Sequence, residues 1–115
     1  MRNRNKPTHT DYLINLERRL HSIGEDRSSL VSIIREPIWF KVESRGFESL
    51  CDLILLYEDY AVPIELKGSK HKRSKAISQL NQGHKYCNDI LGYETDYGIF
   101  VVYYCNYYYH EKIGK

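Results

Sequence analysis

The sequence predicts an α/β fold, because two segments with helical spacing of apolar residues alternate with apolar runs of strand length. The expected order is helix, strand, strand, strand, helix, strand, with a mixed central sheet flanked by the helices. The 115 residues suit one domain with a single core, preceded by a polar, flexible arm over residues 1–9.

Both helices are predicted from periodicity. The first covers residues 10–23, where Thr8 or Thr10 can cap the start and Gly24 ends the helix. The second covers residues 71–91. Its core face is formed by apolar or small residues at helical spacing, namely Ala76, Ile77, Leu80, Gly83, Cys87, Ile90 and Leu91.

The predicted strands are dense in apolar residues. Residues 30–42 are strand-rich, with Pro37 interrupting them, and residues 50–57 and 61–67 form two further strands. Glu58 and Asp59 supply the turn of a tight hairpin between these two. Residues 97–105, YGIFVVYYC, are the strongest strand of the chain and are expected to lie centrally.

The triplet Glu65-Leu66-Lys67 begins thirteen positions after Asp52. Strand alternation puts Glu65 and Lys67 on one face, and the hairpin puts Asp52 across from Glu65. An acid in an apolar strand needs a compensating partner. Asp52, Glu65 and the backbone carbonyl of Leu66 offer the oxygen ligands that Mg²⁺ prefers, and Lys67 could position the attacking water or offset charge on phosphorus. The alternative is a buried ion pair between Asp52 and Lys67, with Glu65 facing solvent.

An acid followed on the next strand by Glu-x-Lys, and then by a basic helix, resembles the PD-(D/E)XK nuclease superfamily over about residues 44–91. The resemblance implies a restriction-endonuclease-like αβββαβ core. It also implies Asp52 and Glu65 as ligands of one or two Mg²⁺ or Mn²⁺ ions, and Lys67 as the catalytic lysine. The chain departs from the family pattern at Cys51, where the family's name expects proline.

A basic cluster follows the triplet and leads into the second helix. It is formed by Lys70, Lys72, Arg73 and Lys75, which are candidates for binding nucleic-acid phosphates. Lys72, Lys75, Gln79, Gln82 and Tyr86 then fall on one flanking stripe of the helix, at steps of three and four residues. Amines, amides and a tyrosine suit a nucleic-acid backbone. An ordinary solvated helix face is the alternative.

Two glutamines compete for one role in this stripe. Gln82 and Tyr86 resemble the Q-x-x-x-Y motif of RecB-like nucleases, and Gln79 resembles the glutamine found on this helix in other branches. By that resemblance, one glutamine orients the catalytic groups or a phosphate, and the tyrosine contacts the substrate strand. Gln79 is preferred because it lies closer to the core face.

The first helix offers a further acid, Glu17, between Leu13 and Leu20. In resolvase-like members of the superfamily a glutamate of this helix joins the metal site, so the resemblance makes Glu17 a candidate third carboxylate. The alternative is an ion pair of Glu17 with Arg18 or with the neighbouring helix. Glu48 is another candidate outer ligand, and residues 44–46 form a predicted turn that could approach DNA.

Composition limits the remaining possibilities. The net charge is only +2, from 17 basic and 15 acidic residues, so any nucleic-acid footprint must be local. The sequence predicts neither a membrane span nor a signal peptide. Cys51, Cys87 and Cys105 indicate reduced core thiols in a cytoplasmic protein. The tyrosines near the C-terminus predict an edge strand with half-buried rings, with a stacking platform or a dimer contact as alternatives.

These patterns predict a metal-dependent deoxyribonuclease. The first expectation is a structure-selective, Holliday-junction-resolvase-like endonuclease that binds DNA as a homodimer, because a chain this short carries one site and two strands need two. The alternatives are a RecB-like exonuclease on single-stranded DNA ends and a non-cleaving nucleic-acid-binding protein of the same fold.

Overall fold

The structure of the chain is a computed structural model that describes residues 7–41 and 46–114. Side chains are described for residues 7–37 and 50–114. The predicted turn at residues 44–46 falls largely outside the described residues, and the side chain of Glu48 falls outside them as well.

The first helix, α1 (His9–Arg18), begins at a capping box. The Thr8 hydroxyl accepts the Asp11 N–H at 3.2 Å, and the Asp11 carboxylate accepts the Thr8 N–H at 2.9 Å. A 3₁₀ turn (Leu20–Ile23) follows and ends at Gly24, whose φ of 79° suits glycine. The predicted helix is therefore confirmed, with a tighter last turn, and residues 7–9 of the predicted arm lie in the described part of the chain.

Seven strands are described, in two sheets. They are β1 (Ser32–Arg35), β2 (Ile38–Lys41), β3 (Gly46–Ser49), β4 (Leu53–Leu56), β5 (Ala61–Lys67), β6 (Tyr97–Tyr103) and β7 (Tyr108–Gly114). The five-stranded sheet has the order β1-β4-β5-β6-β7, and β2 and β3 form a separate antiparallel pair. Only β5 and β6 are parallel neighbours in the larger sheet, so the predicted α/β class with a mixed sheet is confirmed.

Two predicted strands differ in detail. Residues 30–42 contain two strands, β1 and β2, because the chain turns at Glu36, whose φ is 48°, and Pro37. The strand predicted over residues 97–105 ends at Tyr103, and the chain reverses through residues 104–107 into β7. β7 lies at the sheet edge, which confirms the edge-strand interpretation of the tyrosine-rich end.

Helices cover both faces of the sheet. α1 and its 3₁₀ turn pack on one face, against alternate residues of the strands such as Leu53, Ile64 and Val101. The second helix, α2 (Arg73–Tyr86), packs on the other face and continues into a π-helical turn (Cys87–Leu91). Within residues 7–41 and 46–114, no helix has the length and apolar character of a membrane span.

The cysteines differ in burial. Cys51 and Cys87 are buried free thiols, as predicted, and burial raises the pKa of the Cys87 thiol to about 11. Cys105 is exposed, so its assignment to the core is wrong. The reason is that β6 ends two residues before it, which leaves Cys105 in the β6–β7 turn.

Candidate active site

The site forms where β5 extends beyond the start of β4. The two strands pair from Leu53–Ile64 to Leu56–Ala61, so residues 65–67 of β5 have no strand partner on that side in the described part of the chain. Asp52 occupies this gap. Its N–H donates to the Ile64 carbonyl at 3.0 Å, and its carboxylate Oδ2 accepts the Leu66 N–H at 2.7 Å. A side chain thus takes the place of a strand partner at the end of β5.

The Leu66 carbonyl shares this edge. In a strand, the N–H and C=O of one residue point to the same side, and the Leu66 N–H points to Asp52. The carbonyl therefore points toward the β4 side of β5, away from the parallel partner β6. Its role as a metal ligand stays a prediction.

Glu65 and Lys67 lie on the sheet face that α2 covers. Pro63, two residues earlier on β5, packs against Gly83 of α2, and strand alternation puts Glu65 and Lys67 on the same face. Lys67 Nζ lies 2.9 Å from Glu65 Oε2. The alternative of an Asp52–Lys67 ion pair with an exposed Glu65 is therefore wrong, because Glu65 is buried and is itself the partner of the lysine.

Burial dominates the electrostatics of Glu65. Burial and then the negative charge of Asp52 raise the pKa of Glu65 to about 7, against the opposing effect of Lys67. The second oxygen, Glu65 Oε1, is buried and has no hydrogen-bond partner within the described residues. A buried carboxylate oxygen without a donor is costly. A cation between Asp52 and Glu65 would remove this cost.

His9 joins the site from the first turn of α1, which sequence reasoning missed. Its Nε2 lies 3.2 Å from Asp52 Oδ1, and its ring meets Tyr103 edge to face with centroids 6.3 Å apart. The capping pattern Thr8-x-x-Asp11 was the available signal, because it places His9 at the start of the helix rather than in an arm.

Glu17 lies beside the site with a partner of its own. It lines a cavity of about 300 Å³ together with Asp52, Thr10 and Glu36. Its carboxylate, however, accepts hydrogen bonds from both Nη2 and Nε of Arg35 on β1, at 2.6 Å and 2.9 Å. The partner is thus neither Arg18 nor a residue of the other helix. The role of Glu17 as a third ligand stays a prediction.

The described residues contain no group of three or more His, Cys, Asp or Glu side chains arranged to hold a metal. The oxygen atoms that could bind a metal here belong to the Asp52 and Glu65 carboxylates and to the Leu66 carbonyl. This set suits a hard divalent cation, since all of its donor atoms are oxygens and one of them, Glu65 Oε1, is buried without a hydrogen-bond partner within the described residues.

The two glutamines of α2 lie close to the sheet face that carries Glu65 and Lys67, and their side chains are buried to a similar degree. Both are half-buried, and Gln79 Oε1 and Gln82 Oε1 are buried without a hydrogen-bond partner in the described part of the chain. The side-chain oxygen of each glutamine can therefore accept a hydrogen bond from a substrate group or from water. The choice between Gln79 and Gln82 stays open. Tyr86 is half-buried and packs against the cluster around Cys51 and Ile54.

The basic cluster divides into two kinds of residue. Arg73 donates hydrogen bonds from Nε and Nη2 to the Glu111 carboxylate of β7, and Lys70 Nζ lies 4.1 Å above the Tyr109 ring. Lys72 and Lys75 are exposed. All four side chains are exposed, and the cluster borders the site on the β7 side, where Lys70 and Arg73 contact residues of β7.

No family model, no curated protein and no solved structure matches this chain. We therefore infer its function from the geometry of the site.

Proposed function

We propose that this chain is a metal-dependent nuclease that hydrolyses phosphodiester bonds of DNA at the Asp52–Glu65–Lys67 site. The observation that carries the proposal is the buried Glu65, which faces Asp52 and has one carboxylate oxygen without a hydrogen-bond partner among the described residues. Two neighbouring carboxylates with an open oxygen form a cation site that a structural ion pair alone would not require.

Asp52, Glu65 and the Leu66 carbonyl would hold Mg²⁺ or Mn²⁺. When bound, the cation supplies Lewis acidity toward a phosphoryl oxygen and lowers the pKa of a bound water. Side chains of the protein supply charge stabilisation, orientation of the metal ligand and phosphate binding. Lys67 offsets the charge that develops on the phosphate, and His9 holds the Asp52 carboxylate in orientation. The exposed Lys72 and Lys75 bind flanking phosphates.

The preferred substrate class is branched DNA, cut by a structure-selective, resolvase-like endonuclease that works as a homodimer, because each chain supplies one such site. A second candidate is a RecB-like exonuclease on single-stranded ends. It is favoured by one observation: Glu17 is held by Arg35, whereas the acceptor oxygen of Gln82 has no partner in the described residues.

The test is cleavage of supercoiled, linear, single-stranded and four-way-junction DNA with Mg²⁺ or Mn²⁺. Asp52→Asn, Glu65→Gln and Lys67→Met should each lower the cleavage rate by about 100-fold or more. Asp59→Asn is the matched control, since Asp59 is an exposed acid at the opposite end of the same hairpin. Cutting without added metal, or equal cutting by Lys67→Met, would refute the proposed site.

Cleavage of the four-way junction and of single-stranded ends distinguishes the endonuclease from the exonuclease. Paired cuts across the four-way junction, at a rate that rises with dimer formation, support the endonuclease. Stepwise shortening of a single-stranded end by the monomer supports the exonuclease. Metal-independent binding to every DNA without cutting would leave only a non-cleaving nucleic-acid-binding protein.

A further inference from the structure

A second cavity, of about 270 Å³, opens between α1 and the β6–β7 turn. It is lined by Tyr12, Asn15 and Arg19 and by residues 104–108. A volume of this size lies just below the range of about 300–1,000 Å³ typical of pockets for drug-sized ligands. It suits a ligand about as large as one nucleotide.

The wall at the β6–β7 turn is aromatic. Tyr104 and Tyr107 stack with centroids 4.8 Å apart and an interplanar angle of 17°, and Tyr107 remains 60% exposed. A tyrosine ring held by a stacked neighbour and still open to solvent is a rigid surface for another flat ring. The face of an unpaired base is such a ring, whereas paired bases have their faces covered by their neighbours in the duplex.

The wall at α1 is polar and carries a positive charge. Asn15 Nδ2 donates to the Tyr108 hydroxyl at 3.1 Å, and that hydroxyl donates to the Tyr12 carbonyl at 2.8 Å. These bonds tie β7 to α1 and hold the shape of the cavity. Arg19, directly after α1, is exposed at its rim. A guanidinium beside aromatic rings is the combination that binds single-stranded nucleic acid.

Direct contacts connect this cavity to the proposed catalytic carboxylates. Tyr12 stacks on Tyr103 with centroids 3.9 Å apart. Tyr103 meets the His9 ring, and His9 contacts Asp52. Tyr103 also lies against Gly68, the residue after Lys67, because a Cβ there would be 3.0 Å from the Tyr103 hydroxyl oxygen. The cavity is therefore close enough for a short strand to reach both places.

We propose that this cavity is a subsite for one unpaired nucleotide, whose base stacks on Tyr107 and whose phosphate pairs with Arg19. The proposal rests on the proposed function for its link to a cut strand, while the binding itself needs no metal. It predicts that the protein selects DNA with an unpaired base near the cleaved bond, such as a single-stranded end or a branch point.

Cys105 provides a direct measurement, since it lines the cavity and is exposed while Cys51 and Cys87 are buried. The full chain is alkylated in the presence of a chelator, with single-stranded oligothymidylate, with a duplex of equal length, or with thymidine monophosphate. Mass spectrometry follows the modification of Cys105. The single strand should slow alkylation by about tenfold at saturation, and the duplex should not. Protection by the mononucleotide alone would assign the cavity to free nucleotides and overturn the strand subsite.

Matched variants identify the groups responsible. Tyr107→Ala should raise the strand concentration needed for protection by about tenfold, and Tyr107→Phe, which keeps the ring, should restore it. Tyr60→Ala is the control, since Tyr60 is also an exposed, stacked tyrosine but lies at the other end of the sheet. Arg19→Gln should weaken protection and reduce its salt dependence, whereas Arg18→Gln should leave both unchanged.

Each outcome separates this subsite from the proposed nuclease. Protection without metal-dependent cutting keeps the subsite and removes the nuclease. Cutting with unprotected Cys105 keeps the nuclease and overturns the subsite. Protection that rises with protein concentration in the absence of DNA would overturn the subsite in favour of an interface between two copies of the chain.

Discussion

Lys67 Nζ lies 2.9 Å from Glu65 Oε2, and the two side chains are only 15% and 3% exposed. The lysine does not fully compensate the acid, because burial and Asp52 still raise the pKa of Glu65 to about 7. The two side chains therefore form a pair in which the acid can take up a proton near neutral pH and the lysine partly offsets its charge when it is ionised.

Metal binding and pH should be coupled through Glu65. The pKa of Glu65 rises from an ordinary value of 4.5 to about 7 in the folded chain. When a chelator removes metal ions, the contribution of Glu65 to the free energy of unfolding is therefore complete below pH of about 4.5 and is lost as the pH rises through about 7. Mg²⁺ requires the ionised form. The increase of Tm on adding Mg²⁺ should therefore be larger above pH of about 7 than near pH 4.5.

Glu65→Gln is the control for this coupling. It removes the ionisable group, so both the loss of stability between the two pH values and the pH dependence of the Mg²⁺ effect should decrease relative to the unmodified chain. An identical pH dependence in this variant would show that another group is responsible.

His9 should act on the metal through Asp52. Because the His9 side chain is 45% exposed, His9→Ala should change the free energy of unfolding by no more than about 1 kcal/mol. Loss of a group that orients a metal ligand commonly lowers metal affinity by about 10- to 100-fold. Titration of Tm with Mg²⁺ should show this loss, and His110→Ala, an exposed histidine on β7, should not.

The buried carboxylate of Glu25 should contribute to stability through two tyrosines. Tyr57 and Tyr97 each donate a hydroxyl hydrogen bond of 2.8 Å to it, and burial, followed by Glu25, raises the pKa of both hydroxyls far above the ordinary range. Urea unfolding of Tyr97→Phe should show a loss of about 1.5–3 kcal/mol. The exposed Tyr107→Phe should show almost none. If the effects of Tyr57→Phe and Tyr97→Phe are simply additive, the two bonds are not coupled through one carboxylate.

Gly83 should tolerate no side chain, although it lies inside α2. A Cβ there would be 2.9 Å from Pro63 Cβ and 3.1 Å from Cys51 Sγ. The overpacking cost of about 1–3 kcal/mol is at least as large as the roughly 1 kcal/mol that alanine gains in helix propensity. Gly83→Ala should therefore lower the denaturant midpoint, while Asn81→Ala on the exposed face of the same helix should not. A raised midpoint for Gly83→Ala would mean that α2 can move away from β5.

Periodicity was sufficient to predict the helices, the β4–β5 hairpin and the placement of Glu65 and Lys67 on one face. Hydrophobic alternation is a local property, so the chain order carries it directly. The interruption at Pro37 was predicted, whereas the placement of β2 with β3 in a separate sheet was not, because it depends on the turn at Glu36, which has a positive φ. β7 was predicted only as an edge strand without bounds. Its half-buried and exposed positions alternate, but Glu111 occupies a half-buried position, so the sequence of residues 108–114 shows no regular apolar alternation.

By itself, the sequence determined the α/β class, the strand that carries Glu65-Leu66-Lys67, the strand that follows Asp52, and the basic start of α2, because each depends on neighbouring residues. Only the tertiary structure decided which side chains meet: Lys67 with Glu65, His9 with Asp52, Glu17 with Arg35 and Arg73 with Glu111. Apart from Lys67 and Glu65, these partners are between 18 and 43 positions apart. No local pattern specifies such pairs, since strand order and helix packing bring them together.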